Sequence, residues 1–387
     1  MRTLAVVAAA LLLVSCTGPS QPTPTPGSST PSATTTPASP PSPTDSPTPL
    51  SPTASADPTA TPSATASAEP TSTPVSTGHQ PSLAPEAPPA AAYTYEEFDV
   101  PPGTHPHDVA PAPDGTIWYT AQLTGRLGIL DPETGETTEI PLGEGSAPHG
   151  VIVGPDGAAW ITDGGLNAIV RVLDGEVTSY PLPRPPDSNL NTAAFDANGI
   201  LWFTAQSGGV YGRVDPASGE VEVFDAPEGP GPYGIDATPD GDIWFVSLAG
   251  SYLAQIDTET GEATVHEPPT PAQGSRRVWS DSVGRLWVSE WDAGQLGMYD
   301  PSSGEWQEWP LPGPNPQAYA VYVDELDLVW VTDFGSNSIV RFDPLTETFD
   351  SFPLPTADAA VRQLLGRDGE LWGAESGTDK LVVLRRN

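Results

Sequence analysis

From residue 93 onward, short apolar runs alternate with turn residues in a regular cycle. In the cycle around Trp160, the apolar run at 149–153 predicts a strand that is buried on both faces. The Pro-Asp-Gly sequence at 155–157 predicts a tight turn after that strand. Three more strands are predicted at 158–162, 168–173 and 177–182. One cycle therefore predicts four short strands.

Tryptophan marks the same place in every cycle, at intervals of 42 or 43 residues. The positions are Trp118, Trp160, Trp202, Trp244, Trp287, Trp330 and Trp372. A period near forty with four strands per unit is typical of a closed array of sheets. The sequence predicts an all-β fold, a seven-bladed β-propeller of four-stranded blades over residues 93–387, with the tryptophans packed between blades.

The ends of the repeat predict how the ring closes. The last cycle, at 361–386, supplies only three strands, whereas residues 93–100 have the pattern of an outer strand. We expect the N-terminal segment to complete the seventh blade, because this would leave no open sheet edge.

The N-terminus predicts export and a lipid anchor. Arg2 precedes an apolar run at 4–14 that is too short to span a bilayer, and the run ends at Cys16. The sequence Leu-Val-Ser-Cys at 13–16 resembles the lipobox of bacterial lipoproteins, which predicts a signal peptide at 1–16 and lipidation of Cys16. Because Cys16 is the only cysteine, no disulfide framework is expected.

Residues 17–92 are almost entirely Pro, Ser, Thr and Ala. This composition predicts a disordered stalk that reaches roughly 230 Å when extended at about 3.1 Å per residue. The expected location is extracytoplasmic, as a cell-membrane lipoprotein that projects into or through the cell wall.

The net charge of −36 argues against nucleic acid or anionic lipid as a partner. We therefore expect membrane contact only through the lipid anchor. The expected ligand is a small molecule or a surface ligand in the central funnel, and the protein is expected to be a monomer.

Two rings of positions are predicted to line one mouth of this funnel. Eleven residues before each tryptophan stand His107, His149, Asn191, Tyr233, Arg276, Tyr319 and Val361. Three residues after it stand Ala121, Asp163, Ala205, Ser247, Glu290, Asp333 and Glu375. The start of one strand and the end of its antiparallel neighbour share an edge, so both rings should meet there. Polar residues at such positions indicate a ligand site.

The predicted substrate pocket comprises Asn191, Tyr233, Arg276, Glu290, Tyr319 and Asp333. The predicted reactive cluster is His107, His149 and Asp163, with Glu375 added by ring closure. A nearby carboxylate is expected to raise the pKa of His149, and a bound cation to oppose this. The alternative interpretation is that both histidines are exposed strand-start residues or hydrogen-bond to loops.

Several phrases of the repeat resemble the virginiamycin B lyase (streptogramin B lyase) family over residues 93–387. They are Pro-His-Gly-Val at 148–151, Pro-Asp-Gly at 155–157, Trp-Ile-Thr-Asp at 160–163 and Tyr-Pro-Leu-Pro at 180–183. The resemblance implies a seven-bladed propeller that opens an ester-closed ring by elimination, with a divalent metal, magnesium above all.

The resemblance also implies roles for individual residues. His149 would be the general base or acid, and His107 and Asp163 would hold the metal. Ring closure makes Glu375 a candidate for a further ligand. Manganese and zinc are alternatives to magnesium, because imidazole is an uncommon magnesium ligand. Two positions depart from the family pattern, since Asp163 and Ala147 stand where the family has glutamate.

Two other functions fit the same sequence. One is a non-catalytic cell-surface propeller whose mouth, with Trp291 and its neighbours, binds a glycan, a peptide or a protein. The other is a lactonase of the gluconolactonase type, which shares the propeller and a metal.

Cys16→Ser should release the protein from membranes or leave an unprocessed precursor, because no other segment is apolar enough to anchor it. Fractionation of cells that produce either form measures this. Equal membrane recovery of the two proteins would rule out lipidation at this residue.

Overall fold

The computed structural model describes residues 87–184 and 188–387. The predicted signal peptide at 1–16, with Cys16, and nearly all of the stalk at 17–92 lie outside these ranges. The two ranges contain no helix with the length and apolarity needed to cross a membrane. A single 3₁₀ turn, Ala90–Ala92, precedes the first strand.

The described residues form 28 strands in seven antiparallel sheets of four strands each. Their first strands contact one another in a closed cycle, so each sheet is one blade around a central axis. From inner to outer strand, blade one is β2 (Pro106–Pro111), β3 (Ile117–Ala121), β4 (Arg126–Leu130) and β5 (Thr137–Pro141). Blade two is β6 (Pro148–Val153), β7 (Ala159–Asp163), β8 (Ala168–Leu173) and β9 (Glu176–Pro181). Blade three is β10 (Leu190–Phe195), β11 (Leu201–Ala205), β12 (Val210–Val214) and β13 (Val221–Asp225).

The remaining four blades repeat this order. Blade four is β14 (Pro232–Ala237), β15 (Ile243–Ser247), β16 (Tyr252–Ile256) and β17 (Ala263–His266). Blade five is β18 (Ser275–Ser280), β19 (Leu286–Glu290), β20 (Gln295–Asp300) and β21 (Glu305–Pro310). Blade six is β22 (Ala318–Val323), β23 (Val329–Asp333), β24 (Ser338–Asp343) and β25 (Thr348–Pro353). Blade seven is β26 (Val361–Arg367), β27 (Glu370–Glu375), β28 (Lys380–Arg386) and β1 (Tyr93–Asp99). The predicted fold class is confirmed.

The N-terminal strand closes the ring, as the sequence predicts. β1 pairs with β28 along its whole length, from Tyr93 opposite Arg386 to Asp99 opposite Lys380. Phe98 of β1 stacks on Trp372 at 5.6 Å between ring centroids and packs in one cluster with Tyr119 of blade one. The strand therefore joins blade seven to blade one through side chains as well as backbone.

The repeated tryptophans pack inside the molecule. Six of the seven are almost completely buried, and Trp118 is half-buried. In blades two, three, five and six the acid of the first turn accepts the indole N–H; for example, Trp160 donates to Asp156 at 3.1 Å, and Trp330 donates to Asp324 at 2.8 Å. This pairing gives the turn acids a structural role, because a buried indole N–H needs an acceptor.

Each inner strand is irregular next to its first residue. All seven pairings of the first and second strands show a register shift there, which is a β-bulge or a similar irregularity. In blade one, the hydroxyl of Thr120 accepts the N–H of Asp108 at 2.9 Å and donates to the carbonyl of His149 in the next blade at 2.7 Å. A bulge changes the direction of the side chains beside it. The first positions of the inner strands are thus held at the mouth.

Phe98→Ala should lower the free energy of unfolding by about 3–5 kcal/mol, because it leaves a cavity at the closing interface. Denaturant unfolding measures this loss. Leu123→Ala is the control, since Leu123 is 71% exposed. If both variants unfold like the parent protein, β1 does not hold the ring closed.

Candidate functional site at one mouth of the propeller

The side chains of the first predicted ring meet at the axis, except that Arg362 occupies the place predicted for Val361. Pro106 pairs with Ala121 in blade one, whereas Val361 pairs with Glu375 in blade seven. The hairpin of blade seven is therefore one residue shorter, and Arg362 takes the ring position that the sequence count gives to Val361. The mouth ring is His107, His149, Asn191, Tyr233, Arg276, Tyr319 and Arg362.

The two histidines lie against each other in this ring. Their ring centroids are 3.8 Å apart, and both side chains are buried. His107 Nδ1 lies 2.7 Å from Asp108 Oδ1, and His149 Nδ1 lies 2.9 Å from the carbonyl oxygen of Asn191. A carbonyl oxygen only accepts hydrogen bonds, so Nδ1 of His149 carries the proton. Its Nε2 consequently bears the lone pair in the neutral ring.

Both imidazoles are held in the neutral form. Burial lowers the pKa of His149 well below its usual value, and the neighbouring His107 lowers it further against the opposing effect of Asp108. Burial, with the guanidinium of Arg362, likewise lowers the pKa of His107. The expected rise in the pKa of His149 is wrong, because desolvation outweighs the one carboxylate nearby.

Tyrosines and arginines form the opposite wall of the mouth. The phenol oxygens of Tyr233 and Tyr319 are 2.8 Å apart. Arg276 donates to Tyr233 Oη at 3.1 Å, and its guanidinium carbon lies 3.7 Å from the centroid of the Tyr319 ring. Arg362 donates to Tyr319 Oη at 3.3 Å. Although burial alone would raise the pKa of Tyr319, Arg276 and Arg362 outweigh it and lower that pKa.

A buried ion pair lies directly behind the ring. Arg277 donates to Asp108 Oδ1 at 3.0 Å, and both side chains are almost completely buried. Asp108 was not among the predicted site residues. Counting ten residues back from each tryptophan, in place of eleven, places Asp108 and Arg277 in one ring. That register would have revealed the pair.

The aspartates of the second predicted ring do not face the axis. The carboxylate of Asp163 accepts the backbone N–H groups of Ala147 and Leu166, each at 2.9 Å. Asp333 accepts the N–H groups of Gln317 and Gly335 in the equivalent place of blade six. Both carboxylates hold the loops around them, and Asp163 is not brought together with the two histidines.

The glutamates of that ring also point elsewhere. Glu290 accepts from Gln295 Nε2 at 2.6 Å, and Glu375 accepts from Thr378 Oγ1 at 2.7 Å. Burial raises the pKa of Glu290 to about 8 and that of Glu375 to about 7. Among the predicted pocket residues, the structure brings Tyr233, Arg276 and Tyr319 together. Asn191 takes part through its carbonyl oxygen, while its side-chain amide donates to the backbone of Asn189.

The mouth does not fit a divalent metal. Ligand atoms of His107, Asp108 and His149 lie within 4.8 Å of one another, which is the grouping a cation would need. However, Asp108 already pairs with Arg277, and the guanidiniums of Arg276 and Arg362 face the same mouth. One shared carboxylate against three guanidiniums leaves the mouth positive, which opposes a cation.

A cavity of about 260 Å³ lies behind the ring, along the inner strands. Asp108, Arg277 and Gln363 line it, as does Asp236 farther along its strand. Burial raises the pKa of Asp236 to about 7. The mouth ring therefore stands between this cavity and the solvent at its own end of the axis.

Comparison with known proteins gives a consistent result. The sequence model of the virginiamycin B lyase family matches residues 93–384. A streptogramin B lyase structure is 28% identical, with a TM-score of 0.71 over 76% of this chain and 98% of that chain. Selenomethionine-substituted virginiamycin B lyase from Staphylococcus aureus is 25% identical, with a TM-score of 0.71 over 76% and 99% of the two chains.

A third structure adds a functional observation about the relative. It is a catalytically inactive histidine-to-alanine variant of the Staphylococcus aureus enzyme with quinupristin, at 25% identity and a TM-score of 0.71 over 76% of this chain and 99% of that chain. Among curated protein sequences, no match was found.

Glu290→Gln should make the protein more stable, increasingly so as the pH rises. The carboxyl group binds its proton more tightly in the folded state, so the free energy of unfolding falls as the pH rises from about 4.5 to about 8. Glutamine removes this loss, which is about 1.4 kcal/mol for each unit of pKa difference. Denaturant unfolding across this pH range measures it, with the exposed Glu133→Gln as control. A constant difference between Glu290→Gln and the parent would contradict the assignment.

Proposed function

The chain belongs to the virginiamycin B lyase family, and on this basis we propose that it opens an ester or lactone by elimination, with His149 as the general base. The observation that carries this proposal is the hydrogen bond from His149 Nδ1 to the carbonyl of Asn191 at 2.9 Å. It fixes the tautomer whose Nε2 can accept a proton.

The chemistry requires a neutral base and no water. Nε2 of His149 would remove a proton from the carbon next to the one that bears the ester oxygen. The C–H electron pair becomes a C=C bond, the C–O bond breaks, and the acyl part of the ester leaves as a carboxylate. The proton stays on His149 until solvent takes it. Burial favours the neutral imidazole that begins this sequence.

The neighbouring residues position this base. Asp108 holds His107, and His107 packs against the His149 ring at 3.8 Å. Ala147 cannot supply the orienting glutamate that the family resemblance implies, and the Asn191 carbonyl holds His149 in its place. Packing on one side and a hydrogen bond on the other leave the imidazole little freedom to rotate.

The metal implied by the family has no part in this mechanism, because the charges at the mouth do not fit a cation. The location outside the cytoplasm, as a lipid-anchored monomer on a stalk, remains a proposal from the sequence. Cys16, which carries it, lies outside the described residues.

A second candidate function is binding without chemistry. The guanidinium of Arg276 lies within 5 Å of three aromatic ring centroids, those of Tyr233, Trp291 and Tyr319. A cation packed among aromatic faces is a common recognition surface. This arrangement favours, as the second candidate, a propeller that binds a glycan, peptide or protein without turning it over.

Liquid chromatography with mass spectrometry of quinupristin incubated with the protein separates these functions, because a ring-opened isomer differs from the substrate in retention time and a hydrolysis product differs in mass. Elimination gives a ring-opened product with the mass of the substrate, whereas a lactonase adds the mass of one water. A binding protein leaves the substrate unchanged. Release of a product that contains added water would refute the proposed elimination.

His149→Ala should lower the elimination rate about 10²-fold or more, the usual contribution of a placed base. The matched control is His266→Gln, since His266 bonds Tyr299 in an outer strand far from the mouth. Thermal unfolding of both variants checks the fold. Equal rates for His149→Ala and the control would place the base elsewhere.

A further inference from the structure

We propose that the mouth binds a carboxylate of its ligand through Arg276 and Arg362, and that these guanidiniums act where the family would use a metal. The proposal rests on the proposed function for the reaction it serves, but the binding can be tested without turnover. It names the ligand class as one that carries, or releases, a carboxylate at the mouth.

The first observation is the ion-pair pattern of a strongly acidic chain. Thirteen lysine and arginine residues lie within 87–184 and 188–387, and eleven of them pair with a carboxylate. The two that form no ion pair there are Arg276 and Arg362, although acids outnumber bases more than threefold. Both belong to the mouth ring. Two half-buried cations without an anion are costly unless a ligand supplies one.

The second observation is how these cations are held. Arg276 donates to Tyr233 Oη, Arg362 donates to Tyr319 Oη, and the two phenol oxygens are 2.8 Å apart. Two guanidiniums are thus linked by a pair of phenols. Nε of Arg276 is buried and has no hydrogen-bond partner. The same holds for Nε of Arg277, which lies behind the ring. At the mouth, a buried donor without an acceptor can bond an acceptor atom of a ligand.

The chemistry of the group favours a carboxylate. The planar guanidinium presents paired N–H donors that match two carboxylate oxygens. The Tyr319 ring, 3.7 Å from the guanidinium carbon of Arg276, limits how that plane can turn. In an elimination the acyl part of the ester departs as a carboxylate, so charge develops on the group that these arginines would bind. The same positive charges exclude a dication from this place.

Titration calorimetry of the full-length protein with sodium benzoate and with benzamide tests the proposal. The two probes share a shape and differ in charge. We expect benzoate to bind with the same affinity in EDTA and in magnesium, and benzamide to bind at least about tenfold more weakly. The basis is that a hydrogen bond between charged groups contributes about 1.5–3 kcal/mol.

Substitutions then assign the site. Arg276→Gln and Arg362→Gln should each weaken benzoate binding about tenfold or more and leave benzamide binding unchanged. Arg276→Lys, which keeps the charge, should retain part of the affinity and guards against a folding defect. The control is Arg126→Gln, which alters a partly exposed arginine of blade one that pairs with Glu139.

Three results would overturn the carboxylate site: no detectable benzoate binding, equal binding of benzoate and benzamide, or benzoate binding that disappears in EDTA. Equal benzoate affinity of Arg276→Gln, Arg362→Gln and Arg126→Gln would also overturn it. Elimination of quinupristin without benzoate selectivity refutes this site and leaves the lyase function standing. Benzoate selectivity without elimination supports this site and refutes the lyase function.

Discussion

The geometry of the mouth depends on one hydroxyl in most blades, two residues after the tryptophan. Thr120, Thr162, Thr204 and Ser289 each accept an N–H from the irregular inner strand of their own blade and donate to a carbonyl of the next blade. The carbonyls belong to mouth-ring residues. A hydroxyl of this kind satisfies two buried backbone groups at once, and without it both would be left unpaired. Blade packing and side-chain direction at the mouth therefore share one cause.

Two blades lack this hydroxyl, and the blade that follows each of them carries a basic residue of the mouth ring. Val246 and Ala374 occupy the position in blades four and seven, before the blades that carry Arg276 and His107. At the second of these junctions, a different contact joins the blades: Gln363 Oε1 of blade seven accepts the N–H of Val109 of blade one at 3.0 Å.

The sequence predicts the fold well because each four-stranded blade needs about the same length of chain. The tryptophans, the turn residues and the apolar strands therefore all recur at the same interval. The sequence predicts the site only in part, because the direction of a side chain next to a bulge does not follow strand alternation. Asp163 and Glu375 therefore contact loop and outer-strand groups instead of the axis. Counting back from the tryptophan misses Arg362, because the hairpin of blade seven is one residue shorter. The lowered pKa of His149 could not be predicted either, because residue spacing does not show how deeply a side chain is buried.

The charged groups at the mouth all act in one direction. Ala147 stands beside the histidines where the family resemblance implies an acid, and the carboxylate of Asp163 accepts backbone N–H groups instead of facing the axis. Arg276 and Arg362 add positive charge that the described residues do not neutralise. Together these charges favour the proposed anion site over a cation site, since the interaction energy follows the product of the charges. On this proposal, the fold keeps the base and the reaction of the family, and guanidinium groups stabilise the leaving charge in place of a metal.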